Sequence, residues 1–547
     1  MRGLMMDRQL SIISILRHAA LYHPKGRISS RFALEPDHSY SYRDAYARTE
    51  RLANVLASLG VKQGDRVATL AWNDHRHFEL YYAVSGYGAV CHTINPRLYP
   101  EQLVYILNHA EDGVLFTDPT FVPLVEKLLP HLKTVKTVVV MTQPHLMPES
   151  GIPNLLCYET LMSQAADGYD WPDLDENTAA GLCYTSGTTG NPKGVLYSHR
   201  SSVLHAYGLL ATPGMALTQN DIAMPVVPLF HVNGWGYPYA APMVGAGMAF
   251  PGPKLDGKSM YELMETERVT ITSGVPTLWL RLLEHMRGTG SKFSTLKGLT
   301  IGGSAAPRAM IEEFENTYGV KTFQGWGMTE MSPLGTFGSL RPEMEEWPVE
   351  RQHDIKVKQG RAVFGVELRI VDAEGKELPR DGKAFGELVV RGPWITSGYF
   401  NDAAANEGAF TADGWFKTGD VSTIDPDGYM TIVDRAKDVI KSGGEWISSI
   451  DLENAAMGHP DVAEAAVIGV PHPRWTERPL LVVVRRPGAQ LDKAGILSYL
   501  EGHVAKWWLP DDVVFVQELP HTATGKILKA ALRKDFAGYK LPSEAAE

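Results

Sequence analysis

The sequence predicts an α/β protein of several subdomains, and three observations carry that prediction. Amphipathic helical patterns alternate with short β-branched runs through the first half of the chain, the pattern of layered sheets with largely parallel strands. Between residues 366 and 391 the rhythm changes to short strands around Asp372-Ala373-Glu374-Gly375 and Asp381-Gly382. Both are turn sequences, so a small β-barrel-like part is expected there. After Asp434 a helical pattern at 450–457 is followed by strand patterns at 463–470 and 480–485, a compact α+β unit. A chain of 547 residues with 44% hydrophobic content exceeds what one core can fill. The expectation is a large N-terminal domain over 1–433, made of two α/β layers plus the barrel-like part, and a smaller C-terminal domain over 434–547.

Within the first half, a helix over 43–59 precedes a strand at 66–70, and a helix over 79–87 precedes a strand at Val90. Residues 135–140 read as another buried strand, and 144–177 as an irregular connection. That connection leads into the apolar stretch before Tyr184.

Composition narrows the function classes. A net charge of −11 argues against a nucleic-acid partner, although a local basic cleft remains compatible with it. Cys91, Cys157 and Cys183 are odd in number and lack metal-ligand spacing, so neither a disulfide framework nor a zinc site is expected, and the compartment reads as reducing. Cys183 reads as a small buried residue. The apolar run 10–16 is cut short by Arg17-His18, which does not make a signal peptide. The stretch 237–250 is interrupted by Gly and Pro and falls short of the roughly 18 apolar residues of a membrane span. A soluble protein is expected, with transient membrane contact left open.

The most informative segment is Tyr184-Thr185-Ser186-Gly187-Thr188-Thr189-Gly190-Asn191-Pro192-Lys193-Gly194. Glycines let backbone N–H groups turn inward, hydroxyls add donors, and Lys193 adds a positive charge, which is phosphate-binding chemistry. It is not a Walker loop, because Pro192 precedes the lysine and Gly194 follows it. Alone, such a run is usually a hydroxyl-rich surface loop. Three further segments change that balance: Trp326-Gly327-Met328-Thr329-Glu330, the stretch from Tyr399 to Gly419-Asp420, and Thr524-Gly525-Lys526.

In this order the four segments resemble the acyl-adenylate-forming superfamily of acyl-CoA synthetases, luciferases and carrier-protein adenylation domains, over nearly the whole chain. Pro228-Leu229-Phe230-His231-Val232-Asn233-Gly234-Trp235 and Gly302-Gly303-Ser304-Ala305-Ala306-Pro307 are similar to its fatty-acyl-CoA synthetase branch. The resemblance implies ATP, Mg²⁺ and coenzyme A as cofactors or co-substrates, a carboxylic acid as substrate, a cytoplasmic location and a homodimer. It implies a reaction in which a carboxylate attacks the α-phosphorus of ATP, after which the CoA thiol displaces AMP.

It also implies roles. Lys526 bridges the acyl carboxylate and the α-phosphate, Glu330 and Thr185 hold magnesium, and His231 guards the acid near the reacting carbon. Thr185, Ser186, Gly187, Thr188, Thr189, Gly190 and Lys193 cradle phosphates. Gly303, Ser304, Gly325, Trp326, Gly327, Met328 and Thr329 surround the nucleotide, whose ribose meets Asp420 and Arg435. Trp235 and Gly302 belong to the acyl tunnel. Lys437 marks the hinge, and Lys441, Gly443, Gly444, Glu445 and Trp446 line the pantetheine path after rotation. Each has an ordinary structural counterpart: a surface lysine, a helix-start acid, a core tryptophan, a Gly-Asp turn. For the acid, the run of residues looks most like medium- to long-chain fatty-acyl-CoA synthetases. A short thioether acid of the methylthiopropionate kind, or loading of a carrier protein, are the alternatives. Trp235 suits either a gate for a long chain or a stop for a short one.

Overall fold

The structure is a computed structural model that describes residues 1, 3–185, 191–436, 438–443, 445–521 and 527–542, with backbone only for Glu445 and Trp446. Two large sheets dominate its N-terminal part. One has seven strands in the order Leu156–Cys157, Thr137–Val140, Val114–Thr117, Arg66–Leu70, Val90–Thr93, Ala179–Tyr184 and Gly194–Ser198. Its pairings are parallel except for the last, so the strand leading into the phosphate-loop segment and the strand leaving it form an antiparallel pair. The other has nine strands, and its central parallel run includes Ile222–Pro225, Ile271–Gly274, Gly298–Gly302 and Lys321–Gly327.

Helix His75–Tyr87 shows why the two layers adhere. Residues 75–86 are all buried, charged ones included. Burial of unpaired charge is costly, and here each charge has partners: Arg76 binds Glu35 and Glu159, while Glu79 accepts from Arg48 and Tyr158. Sequence periodicity places the start of this helix at residue 79. It begins four residues earlier, at His75, where the Asp74 carboxylate accepts from the His77 N–H at 2.8 Å and caps the first turn. Buried ion pairs had made that turn look solvent-facing. The segment read as a connection, 144–177, contains strand Leu156–Cys157 and helix Tyr158–Gln164, which bury Tyr158 and Met162 amid turn-forming composition.

The β-rich part is a four-stranded antiparallel meander, Glu367–Val371, Phe385–Arg391, Phe416–Ile424 and Met430–Arg435, whose first and last strands are not paired. The C-terminal part is α+β, with the hairpin Val462–His472/Thr476–Arg485 at its centre and Asp512–Val516 parallel to the second of these strands. Helices Ser449–Met457 and Lys529–Asp535 pack on it. Strand Met430–Arg435 is tied to this part by Asp434, whose carboxylate accepts from the Ser449 N–H at 2.9 Å and from its hydroxyl at 2.5 Å. Lys529 is bonded to Ser449 and to Glu453, the latter at 2.8 Å, and Arg533 pairs with Asp438. All three cysteines are buried and unbridged. Among the described residues no helix is long and apolar enough to cross a membrane.

Candidate active site

The strand ends of both sheets, the meander and the C-terminal helices converge on one cavity of about 580 Å³. Carboxyl ends of parallel strands are where open α/β sheets place ligands. Thr185 follows strand Ala179–Tyr184; its N–H donates to the Lys193 carbonyl at 2.9 Å, and the Lys193 N–H donates to the Thr185 hydroxyl at 3.1 Å. The base of the segment expected to bind phosphate is thus closed by reciprocal bonds. Ser186, Gly187, Thr188, Thr189 and Gly190 lie outside the described residues, as do Lys437, Gly444 and Lys526.

Lys193, Tyr399 and Glu330 form a contiguous chain. The Lys193 ammonium sits 4.8 Å from the Tyr399 ring centroid, and the Tyr399 hydroxyl donates to Glu330 Oε1 at 2.7 Å. Glu330 belongs to the short turn Thr329–Met331 that follows Gly325, Trp326, Gly327 and Met328. Its carbonyl accepts from the Thr396 N–H at 2.8 Å, and the carbonyl of Thr329 accepts from the Tyr197 hydroxyl at 2.6 Å. Burial raises the Glu330 carboxyl above its ordinary value, against the opposing effects of the Tyr399 hydrogen bond, Arg435 and Lys193.

Opposite this chain, the Trp326 indole N–H donates to Asp420 Oδ2 at 2.9 Å, and Arg435 Nε reaches Asp420 Oδ1 at 2.9 Å. Both carboxylate oxygens are engaged, and each keeps a lone pair for a hydroxyl. The Asp420 side chain is 2% exposed and that of Arg435 is 42% exposed, so the ion pair opens toward the cavity.

The third wall comes from residues 231–236 and 302–304. Val232, Asn233, Gly234 and Trp235 have φ of 45°, 52°, 54° and 52°, a left-handed turn built from three non-glycine residues. Such geometry costs energy and recurs at functional sites. It lays the Trp235 ring over Gly302, where a Cβ would fall 2.7 Å from the indole. His231, Gly303 and Ser304 line the cavity beside it.

The sequence-predicted residues Thr185, Lys193, His231, Trp235, Gly302, Gly303, Ser304, Gly325, Trp326, Gly327, Met328, Thr329, Glu330, Asp420 and Arg435 are therefore brought together. Lys441 and Gly443 are not; they sit on the hairpin Ile440–Ser442/Glu445–Ile447, where Gly443 backs onto Trp475. Sequence reasoning gave Tyr399 no role although it heads one of the recognised segments, and it missed the Asp434–Ser449–Lys529 cluster, whose members are scattered and ordinary in sequence.

A glycine- and hydroxyl-rich segment closed at its base, a buried carboxylate joined through Tyr399 to a lysine, and an Asp–Arg pair meet in one α/β cleft, an arrangement suited to an enzyme that binds a nucleotide. The chain belongs to the AMP-binding enzyme family: that family model matches residues 16–400, and the AMP-binding enzyme C-terminal domain matches 451–526. It is 52% identical over 98% of its length to a 3-methylmercaptopropionyl-CoA ligase of Ruegeria pomeroyi, 99% of which is covered. It is 47% identical to a medium-chain-fatty-acid–CoA ligase of Ectopseudomonas oleovorans with both chains fully covered. It is 48% identical to a long-chain-fatty-acid–CoA ligase of Thermus thermophilus, covering 98% of this chain and 97% of the other. Its fold matches the crystal structure of an anthranilate CoA ligase in complex with anthranoyl-AMP, with a TM-score of 0.86 at 25% identity over 98% and 99% of the two chains. The protein is an AMP-forming acyl-CoA ligase that works through an acyl-adenylate.

Proposed function

We propose that the acid is short, with a thioether tail of the methylthiopropionate class. The observation that carries this is the Trp235 ring lying on Gly302 in the cavity wall, which narrows the space for a tail there. The 52% identical relative bears the name of that thioether acid. A medium- to long-chain acid is the second reading, favoured by the relatives at 47% and 48% and requiring Trp235 to swing aside. Loading of a carrier protein has no support beyond the shared motifs.

In the first step the carboxylate oxygen attacks the α-phosphorus and pyrophosphate leaves. Two anions must meet, so the task of the site is neutralisation and positioning. Lys193 and the loop from Thr185 to Gly190 take the departing phosphates, Trp326 and Gly325 flank the base, and Asp420 and Arg435 hold the ribose. His231 stands near the reacting carbon, and Lys526 bridges carboxylate and α-phosphate. The oxygens of Glu330 and Thr185 suit Mg²⁺, a hard cation held by one or two protein oxygens plus phosphates. The buried Glu330 carboxylate is one that a cation would compensate, and among the described residues no cluster of three or more His, Cys, Asp or Glu competes for the ion. The metal would draw charge from the phosphates.

In the second step the thiol sulfur attacks the acyl carbonyl, AMP leaves and the thiol proton is lost. We place the domain boundary at 433/434 and the pivot at Lys437, so that rotation exchanges Lys526 for the 441–446 hairpin along the CoA path. The homodimer and the cytoplasmic location carried by the family resemblance belong to the same proposal. The deciding experiment is CoA-dependent AMP release with ATP and Mg²⁺ across propionate to palmitate plus methylthiopropionate. A maximum at four to six heavy atoms beyond the carboxyl or fewer supports the short-acid reading, and a maximum at decanoate or beyond replaces it with the second.

A further inference from the structure

Strand Met430–Arg435 brings Arg435 to Asp420 through an irregular register. Ile424, Thr423 and Ser422 pair with Met430, Thr431 and Ile432, after which Val421 pairs with Asp434 and Asp420 with Arg435. Val433 is therefore an extra residue, a β-bulge that shifts the ladder by one position. A regular ladder would set Asp420 opposite Asp434, and like charges directly opposite each other are destabilising. With the bulge, Asp420 meets Arg435 at 2.9 Å and Asp434 turns to Ser449.

Two side chains hold this bulge at the outer edge of the meander. Gln359 pairs with the strand through its backbone, its N–H donating to the Met430 carbonyl at 3.0 Å. Its side chain continues the pairing, because Oε1 accepts the Ile432 N–H at 2.6 Å. The Ser448 hydroxyl donates to the Val433 carbonyl at 2.6 Å. The orientation of the Gln359 amide is fixed by its neighbour: Nε2 donates to Gln324 Oε1 at 3.1 Å, and that oxygen also accepts the Ala306 N–H at 3.0 Å. Gln324 Nε2 donates in turn to the Val357 carbonyl at 2.6 Å. Turning the Gln359 amide over would set its oxygen against Gln324 Oε1 and its NH₂ against the Ile432 N–H. Both glutamines are buried and line the cavity.

We propose that Gln359 is a positioning residue of the ligase: its side chain fixes the Val433 bulge and so sets Arg435 against Asp420. This rests on the reading of Asp420 and Arg435 as the holders of the ribose and goes beyond it by naming what aligns them. Without Oε1 the Ile432 N–H loses its acceptor, the bulge loses one of its two side-chain anchors, and Arg435 is no longer held opposite Asp420. The ribose hydroxyls then lose a fixed acceptor, whereas the phosphates and the acid keep their partners.

The test compares ATP with 2′-deoxy-ATP in CoA-dependent nucleotide monophosphate release, using the acid that the wild type turns over fastest in the chain-length series. Gln359→Met keeps the length and has no oxygen acceptor; Gln359→Asn stays polar and is one methylene too short. The wild type is expected to prefer ATP by about 10-fold or more in kcat/KM. In either variant, with thermal midpoints confirming the fold, KM for ATP is expected to rise about 10-fold while kcat stays within about twofold, the pattern of lost uniform binding. The preference for ATP is expected to shrink to about threefold or less. A preference that survives in a folded variant, or a fall in kcat for both nucleotides with the preference intact, overturns the inference and leaves the ribose reading standing. Equal use of both nucleotides by the wild type removes the ribose reading and the inference with it. Hydrogen exchange of the wild type at single-residue resolution needs no substitution. There the Ile432 amide is expected to be protected at least about 100-fold, and exchange at the rate of an open edge amide overturns the inference even if neither variant folds.

Discussion

The indole N–H of Trp326 holds Asp420 Oδ2 at 2.9 Å, joining the end of one strand of the nine-stranded sheet to the third strand of the meander, 94 residues away. Arg435 takes the other carboxylate oxygen. The nucleotide site proposed here depends on a tryptophan that an apolar pattern alone assigns to the core.

Trp326→Phe keeps the ring and removes the donor. A hydrogen bond to a buried charge contributes about 1.5–3 kcal/mol. The expected outcome is a rise of roughly 10- to 100-fold in KM for ATP, with a smaller change in KM for the acid, measured by steady-state kinetics.

Gly302→Val tests the wall across the acyl region. Even the first added carbon falls 2.7 Å from the Trp235 indole and 3.1 Å from the Gly325 carbonyl, so the ring must move. Activity on short acids is expected to drop at least tenfold. Trp235→Ala is expected to act in the opposite sense, moving the chain-length optimum toward longer acids. An unchanged chain-length profile in Trp235→Ala would show that the ring does not bound the tail.

Glu330 gives a pH dependence with a defined sign. Burial raises its carboxyl and the Tyr399 hydroxyl pulls it back down. Activity that needs the carboxylate therefore rises with pH, and Tyr399→Phe moves the acid limb of the kcat/KM profile to higher pH while leaving the basic limb in place. Profiles recorded from pH 5 to 9 at saturating Mg²⁺ check this.

Lys526→Ala separates the two steps. Adenylation, read as ATP–pyrophosphate exchange, is expected to fall by orders of magnitude, while CoA thioester formation from supplied acyl-AMP persists. Equal loss of both half-reactions would remove the case for rotation about Lys437.

Stability carries its own pH signature through His205, which accepts the N–H of the cavity-lining Leu334 at 3.1 Å. Burial lowers its pKa to about 3. The folded pKa lies below the unfolded value near 6.5, so the unfolded chain binds the extra proton first, and stability present above pH 6.5 is lost as pH falls toward 3. The loss attributable to this residue is on the order of 2 kcal/mol by pH 5. Asp74, whose carboxyl burial pushes up to about 7, acts in the opposite direction, so the comparison must be with a variant. Tm measured at pH 7 and pH 5 is expected to fall less in His205→Gln than in the wild type.

Local sequence determined the layered α/β class, the α+β tail and most of the residues that meet in the cavity. Periodicity is a short-range property, and Thr185, Lys193, Glu330 and Asp420 stand in segments whose residue order resembles that of the family. Tertiary structure alone decided the rest. Helix His75–Tyr87 starts where buried partners from residues 35, 48 and 159 neutralise its charges. Tyr399 acquires a role only because folding sets its hydroxyl on Glu330 and its ring under Lys193. Trp235 meets Gly302 because a left-handed turn points its ring there. These are relations between side chains more than 25 residues apart, set by strand register and burial, and no window of neighbouring residues contains them.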